Sequence, residues 1–214
     1  FKMDYILPYK LADAEHMQKK SLIDALSNSS NKLISTNLQF TNLKLNPIVY
    51  RLYQDLTKEK FNINLLWSDA GSCALAKRDM PDIKDIIFSY SEYSKSLELM
   101  NKNVIIIAIN PQPFDYEIFE KLCRNFSGKV IMLNGKLEDA AIGIGNLGRE
   151  RRKEFIYSWI PAFWLQPLNQ GALLKQYDND WILFKLDPDG YRYRGKYQNK
   201  PDMETITNDL LLKI

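Results

Sequence analysis

Histidine is almost missing from this sequence, with His16 alone, and cysteine occurs only twice, as Cys73 and Cys123. One histidine cannot assemble a His-rich metal centre, and no C-x-x-C or H-E-x-x-H spacing occurs, so no structural metal is expected. The same scarcity removes any Ser–His–Asp set. His16, in a lysine-containing helical stretch, is a poor general base, so neither catalysis nor a cofactor is indicated. Two cysteines on separate predicted helices of a disulfide-poor chain point to reduced thiols in a reducing compartment. Long apolar runs are missing too. The longest purely aliphatic stretch, Val104 to Ile109, falls far short of the roughly 20 residues of a bilayer-crossing helix. The start, at Phe1 rather than Met, lacks the charge and apolar layout of a signal peptide and leaves open whether the N-terminus is processed. Nor is charge of one sign in excess. Lys and Arg number 29 against 26 Asp and Glu, a net charge of +3, so no specific nucleic-acid partner is expected and any electrostatic partner must meet a local patch.

What is present is the composition of a folded soluble protein, with 45% hydrophobic and 26% charged residues in 214. "ADAEHMQKKSLIDALSN" has helical spacing, with Asp13 as expected N-cap. "KLISTNLQF" alternates Ile34, Thr36, Leu38 and Phe40 as a half-buried strand, and "NPIVYRLYQDLTKEK" returns to helical period. "FNINLLW" (strand), "AGSCALAKRD" (helix), "IKDIIFSY" (strand), "NVIIIAI" (doubly buried strand), "PFDYEIFEKLCRNF" (helix) and "GKVIMLN" (strand) continue the alternation. Such alternation predicts an α/β fold: a largely parallel sheet with helices on both faces. The last third reads as short strands, "AFWLQPL", "GALLKQY", "WILFKLD" and "YRYRGKY", with a "DPDG" hairpin turn and the helix "DMETITNDLLLKI". The expectation is one domain over 1–214: a parallel core at about 31–160, a C-terminal antiparallel strand extension at about 161–200 and a closing helix at about 202–213.

Open α/β sheets bind ligands at strand carboxyl ends. Here those ends carry Ser68 and Asp69, then Asn110 and Gln112, then Asn134 and Lys136. Helix N-termini follow the first two and suit an anion, but Asp69 and Asn110 also suit simple capping, and both readings stand. "AIGIGNLGRERRKEF" spells G-x-G-x-x-G with Gly143, Gly145 and Gly148, yet these lie well past the "VIMLN" strand and the acid that would hold a ribose is missing, so this is no dinucleotide fingerprint. The segment instead delivers Arg149, Arg151, Arg152 and Lys153 onto the first turns of a helix. Arginine suits bidentate phosphate or carboxylate binding. Cations there oppose the helix dipole unless something acidic meets them, although Glu150 and Glu154 offer pairing on a solvated face. Candidate anion-binding residues are therefore Asp69, Gln112, Asn134, Arg149, Arg151 and Arg152. In "YRYRGKY", period two places Tyr191, Tyr193 and Tyr197 on one, inward, face and Arg192, Arg194 and Lys196 on the other. That stripe is the candidate partner or membrane surface, or an edge protected by charge. Trp159, Phe163 and Trp164 read as core anchors.

Four segments in order, "LLWSDAGSCALAKRD", "IIAINPQPFDYE", "VIMLNGKLEDAAIGIGNLGRERRKEF" and "WLQPLNQGALLKQYDNDWILF", resemble a domain-of-unknown-function family of cyanobacteria and plastids. It includes the "low photosystem II accumulation" assembly factors and the C-terminal extension of some plastid adenylate kinases. The matching residues are Asp69, Ala70, Gly71, Pro111, Gln112, Asn134, Gly143, Gly145, Gly148, Arg149 and Arg152. The chain departs from the pattern at Tyr177-Asp178-Asn179, where Tyr-Pro-Gly is more usual. The resemblance implies a non-catalytic, soluble or membrane-peripheral factor in photosystem II assembly or maintenance. Its place would be cyanobacterial cytoplasm or plastid stroma, and it would bind a photosystem or other thylakoid protein or an anionic thylakoid surface. It carries over no catalytic residues. The alternative is an enzyme or binding protein for a phosphorylated or nucleotide small molecule at the strand rim.

Overall fold

The structure is a computed structural model, describing residues 5–97, 103–141 and 145–211. It is mixed α/β and divides by contact into two compact units. One comprises Ser29–Thr36 and Lys44–Ile160, the other Phe1–Asn28, Asn37–Leu43 and Pro161–Ile214.

In the first unit five strands lie in the order β3-β2-β4-β5-β1, where β1 is Leu33–Leu38, β2 Asn62–Trp67, β3 Ile87–Ser89, β4 Val104–Ile109 and β5 Val130–Leu133. All four pairings are parallel. Parallel strands need crossover helices, and these supply apolar cover on both faces. Every residue of β4 is buried, as its unbroken aliphatic spelling predicts. One face of the sheet, with Leu66, Ile106, Ala108 and Met132, packs on α4 (Tyr90–Lys95), α5 (Tyr116–Asn125) and α6 (Asn146–Tyr157). The centre of that layer is aromatic. Phe119 stacks on Trp159 with centroids 5.7 Å apart and meets Phe155 edge-on at 6.4 Å. On the amphipathic α2 (Leu45–Lys58) the buried stripe is Ile48, Val49, Leu52 and Leu56, and the helix packs on β2. Helix α3 (Ala70–Asp79) also touches β2.

Three expectations change here. Strand β1 is not half-buried: Ile34 to Leu38 are all inaccessible, Ser35, Thr36 and Asn37 included. Sequence alternation reports one wet face, but a strand whose residues are buried on both faces has none. Ser35 meets the cost by donating to the Ile160 carbonyl at 3.5 Å, and the strand stops before Phe40, which is exposed. "IKDIIFSY" is a 3₁₀ helix over Pro81–Ile86 followed by only three strand residues. Ser89 then opens α4 through a reciprocal capping box. Its Oγ accepts from the Glu92 N–H at 3.2 Å, and Glu92 Oε2 accepts from the Ser89 N–H at 2.9 Å. Finally, Asp13 is not an N-cap, because α1 (Leu11–Asn28) begins two residues earlier. It sits in the first turn and accepts from the Lys10 N–H at 3.3 Å.

The second unit holds the antiparallel run β6 (Ile160–Leu168), β7 (Gly171–Gln176), β8 (Trp181–Asp187) and β9 (Gly190–Tyr197), adjacent in that order. Helix α7 (Met203–Leu211) lays Ile206 and Leu210 on a face formed by Trp164, Leu173, Trp181 and Leu183, while α1 packs on β7. The "DPDG" turn is a two-residue link with Gly190 at φ 129°, a backbone state open to glycine. In the unusual Tyr177-Asp178-Asn179 turn, Asp178 takes φ 64°, which aspartate tolerates.

Phe119→Ala would empty the space between α5, α6 and the sheet. It is expected to destabilise the protein by about 3–5 kcal/mol in urea unfolding, the usual cost of removing a fully buried ring.

Candidate functional site

The carboxyl ends of the parallel strands are stitched to one another. After β4, Asn110 turns the chain at φ 50° while its N–H still donates to the Leu133 carbonyl of β5 at 2.7 Å. Asn134 repeats the device after β5, at φ 52°, with its N–H on the Thr36 carbonyl of β1 at 2.9 Å. Lys136 N–H then donates to the Pro111 carbonyl at 2.8 Å. Asparagine is among the few side-chain-bearing residues that enter this left-handed region readily.

At the centre lies a carboxylate that sequence reading missed. Asp115 is only 6% exposed. Its Oδ1 accepts from the Ser68 hydroxyl after β2 at 2.5 Å, and its Oδ2 from the Gln112 N–H at 2.8 Å. Gln112 in turn donates its amide to Asn110, at 2.8 Å to the side chain and 3.0 Å to the carbonyl. The signal lay in "QPFD": proline opening a helical turn, with an acid three residues after the cap position. Asp69 caps α3, accepting from the Ser72 N–H at 2.9 Å and hydroxyl at 2.7 Å, and these bonds hold its carboxyl below the usual carboxylate range. Thus Asp69 and Gln112 are engaged within the protein; the capping reading describes the bonds of Asp69, whereas Asn110 serves as a turn.

The arginine-bearing helix has an equally internal answer. Gly145 is the N-cap of α6, at an ordinary φ of −61° with open space where a Cβ would stand, so glycine is not required at that position. Gly148 lies inside the helix, and Gly143 lies outside the described residues. The acid that the cations require is on α5. Arg152 donates to the Ala140 carbonyl at 2.6 Å and to Glu117 at 2.7 Å, with its guanidinium 4.5 Å from the Tyr116 ring centroid. Glu120, 3% exposed, receives Arg124 at 2.6 Å and lies 3.9 Å from Arg151. Burial first, then the Glu120 carboxylate, push the Tyr116 hydroxyl up to about 12. Lys153 pairs with Glu150 at 3.5 Å on the surface.

Arg149 is exposed and its side chain has no ion-pair partner among the described residues. Two large apolar side chains share this part of the unit: Phe114, 81% exposed in the 3₁₀ turn Pro113–Asp115, and Leu147, 91% exposed in the first turn of α6. Both elements pack on one further 3₁₀ turn, Leu137–Ala141, which links rim and helix. Nothing in helical or strand periodicity marks these two as outward.

In the second unit the cations of the candidate stripe are bonded within the protein. Arg192 pairs with Asp187 at 3.3 Å and with Asp189, Lys196 with Asp180 at 3.6 Å, and Arg194 donates to the Asp209 carbonyl at 2.6 Å. The tyrosines do not share one inward face. A bulge shifts the β8/β9 register at Leu183/Phe184, so Tyr193 pairs with Phe184 but Tyr197 with Trp181. Tyr191 and Tyr193 are each 49% exposed, Tyr193 with Tyr5 stacked on it, whereas Tyr197 packs under α7 and donates to Asp209.

Among the described residues no group of three or more His, Cys, Asp or Glu is placed to hold a metal, and no helix is long and apolar enough to cross a membrane. Cys73 and Cys123 are free and buried.

The first unit is thus an α/β domain of parallel-sheet type whose strand rim is closed upon itself. The chain belongs to the family described as a domain of unknown function, DUF1995, whose model matches residues 8–208. No curated protein matches it.

Two arginines on one helix should separate cleanly. Arg152→Met is expected to lower stability by about 1–3 kcal/mol through loss of charged hydrogen bonds. Arg149→Ala should stay within about 0.5 kcal/mol of the parent. Paired urea melts measure both.

Proposed function

We propose that the chain works by docking rather than by turnover, as a factor that helps assemble or maintain the photosynthetic apparatus, photosystem II in particular. The observation that carries the docking part is the pairing of Phe114 and Leu147, both solvated, with the unneutralised Arg149 on elements held by the same 3₁₀ turn. An aromatic anchor, an aliphatic anchor and an exposed guanidinium on elements that share one turn suit a partner with an apolar pocket rimmed by acid. The rest of the reading is supported by the family resemblance in "INPQPFDYE" and "GNLGRERRKEF", segments that supply these three residues. On this reading the partner is a thylakoid protein and the chain is peripheral to the membrane, in a cyanobacterium or a plastid stroma.

The rival reading, a phosphorylated or nucleotide ligand on Asp69, Gln112, Asn134 and Arg149, has less support. Asp69 and Gln112 already spend their polar atoms on Ser72, Asp115 and Asn110.

Phe114→Ala/Leu147→Ala/Arg149→Ala, all at exposed positions, should leave the melting temperature within a few degrees. The triple variant should lose at least about tenfold in association with isolated thylakoid membranes, as hot-spot truncation does. The Arg149 share should weaken with added salt. Undiminished association would overturn the proposal. Equal binding to protein-free anionic vesicles would assign the contact to lipid instead. Stabilisation by nucleotides or sugar phosphates in a thermal-shift series, lost in Arg149→Ala, would favour the rival.

A further inference from the structure

At the amino end of β1, away from the strand carboxyl ends, the first unit carries a cleft of about 360 Å³. Leu33 at the start of β1 and Lys32 just before it enter the cleft, with Cys123 and Arg124 from the last turns of α5, Glu154 from α6 and Ser158 just past that helix. Its size lies within the range of small-molecule sites, about 300–1,000 Å³.

The charges in it are unevenly balanced. Arg124 is compensated twice: Glu120 accepts from its Nε at 2.9 Å and its Nη2 at 2.6 Å, and Glu154 adds a second negative field. Lys32 has no such support. Its Nζ donates to the Cys123 carbonyl at 2.5 Å, and no carboxylate forms an ion pair with it among the described residues. The side chain is half-buried, and that burial lowers the pKa of its ammonium, the signature of a charge that has lost water without gaining an anion. An ammonium has three donors, so two remain after the Cys123 bond. Arg124 likewise retains Nη1, since Glu120 takes only the other two nitrogens. Leu33 and the buried Phe155 supply apolar wall beside these donors.

We propose that this cleft is a binding site for a small oxyanion, a carboxylate or phosphate group carried on a short apolar body. The oxyanion sits on Lys32 Nζ and Arg124 Nη1, and the body lies against Leu33 and Phe155. Binding supplies the negative charge that Lys32 lacks. Glu154, an exposed residue of the cleft lining, disfavours large polyanions and so restricts the ligand to low charge. The site is independent of the Phe114–Leu147–Arg149 surface and of the docking proposal.

Amide chemical shifts of the full, isotope-labelled chain, titrated separately with butyrate and with inorganic phosphate, test this. Saturable shifts confined to Lys32, Leu33, Cys123, Arg124 and Ser158 are expected, with Lys32→Gln weakening the binding about tenfold or more, as loss of a charged hydrogen bond does. Response to butyrate assigns a carboxylate ligand, and response to phosphate alone a phosphate. No saturable shift with either probe overturns the proposal, as does unchanged affinity in Lys32→Gln or a response spread over exposed Arg149 and Arg192. Should Lys32→Gln not fold, the parent titration with butyrate against acetate still decides. Tighter butyrate binding at the cleft supports the apolar wall, and absence of cleft shifts sinks it.

Discussion

The position of Glu120 governs the architecture of the parallel unit. A nearly inaccessible carboxylate on α5 is costly unless cations reach it, and it has Arg124 from its own helix and Arg151 from α6. Arg152 ties the same two helices again through Glu117 and the Tyr116 ring. At an effective dielectric near 20, a pair about 4 Å apart gains on the order of 4 kcal/mol, much of it offset by desolvation, so the network adds little net stability. Its effect is geometric. It fixes the rotation of α6 on α5 so that Phe155 and Trp159 meet Phe119, and the aromatic layer against the sheet depends on that rotation. The cations at the start of α6, unfavourable against its dipole, are tolerated because the neighbouring helix supplies the acid.

The strand rim follows the same economy of polar groups. Ser68, Asn110, Gln112 and Asp115 satisfy one another, and the turns at Asn110 and Asn134 keep their N–H groups bonded to the next strand. A rim closed in this way presents few unmet donors to a small ligand. It is instead a stiff platform, and side chains that project from a stiff platform lose little freedom on contact. Phe114 is held by Pro113 on one side and by the anchored Asp115 on the other, which is why a large exposed ring there reads as a contact residue rather than as a loose one.

Much of the fold is legible in the sequence because periodicity reports local geometry. The unbroken "VIIIAI" requires cover on both faces, and alternating strands and helices require a parallel sheet. The failures share one cause, that burial belongs to the neighbours. "LISTNL" spells an outer strand because its serine, threonine and asparagine look wet, yet all three are buried. "SYSE" contains a capping box that was legible, but the apolar residues before it outweighed the signal. In the candidate site the cap at Asp69 and the arginine helix were visible, while the acids that answer the arginines were not. Glu117 and Glu120 look like any solvated pair on "DYEIFEKLCRNF" until the helix across from them is in place.

The antiparallel unit shows why a stripe of charge is weak evidence of a partner. Strand β9 ends its row of strands, and an edge with unpaired backbone groups invites unwanted pairing unless charge guards it. Arg192, Arg194 and Lys196 stand along that edge, but Asp187, Asp189 and Asp180 pair with the first and last, and a carbonyl of α7 accepts from Arg194. The bulge at Leu183/Phe184 completes the protection. It reverses the facing of the strand partway, burying Tyr197 beneath α7 and leaving Tyr191 and Tyr193 outward, so no long flat ladder is offered to another chain. A surface whose cations are bonded within the protein and whose edge is bulged discourages association. Of the arginines that the sequence offers as contacts, Arg149 and Arg194 have no ion pair among the described residues, and Arg194 spends its donor on the Asp209 carbonyl.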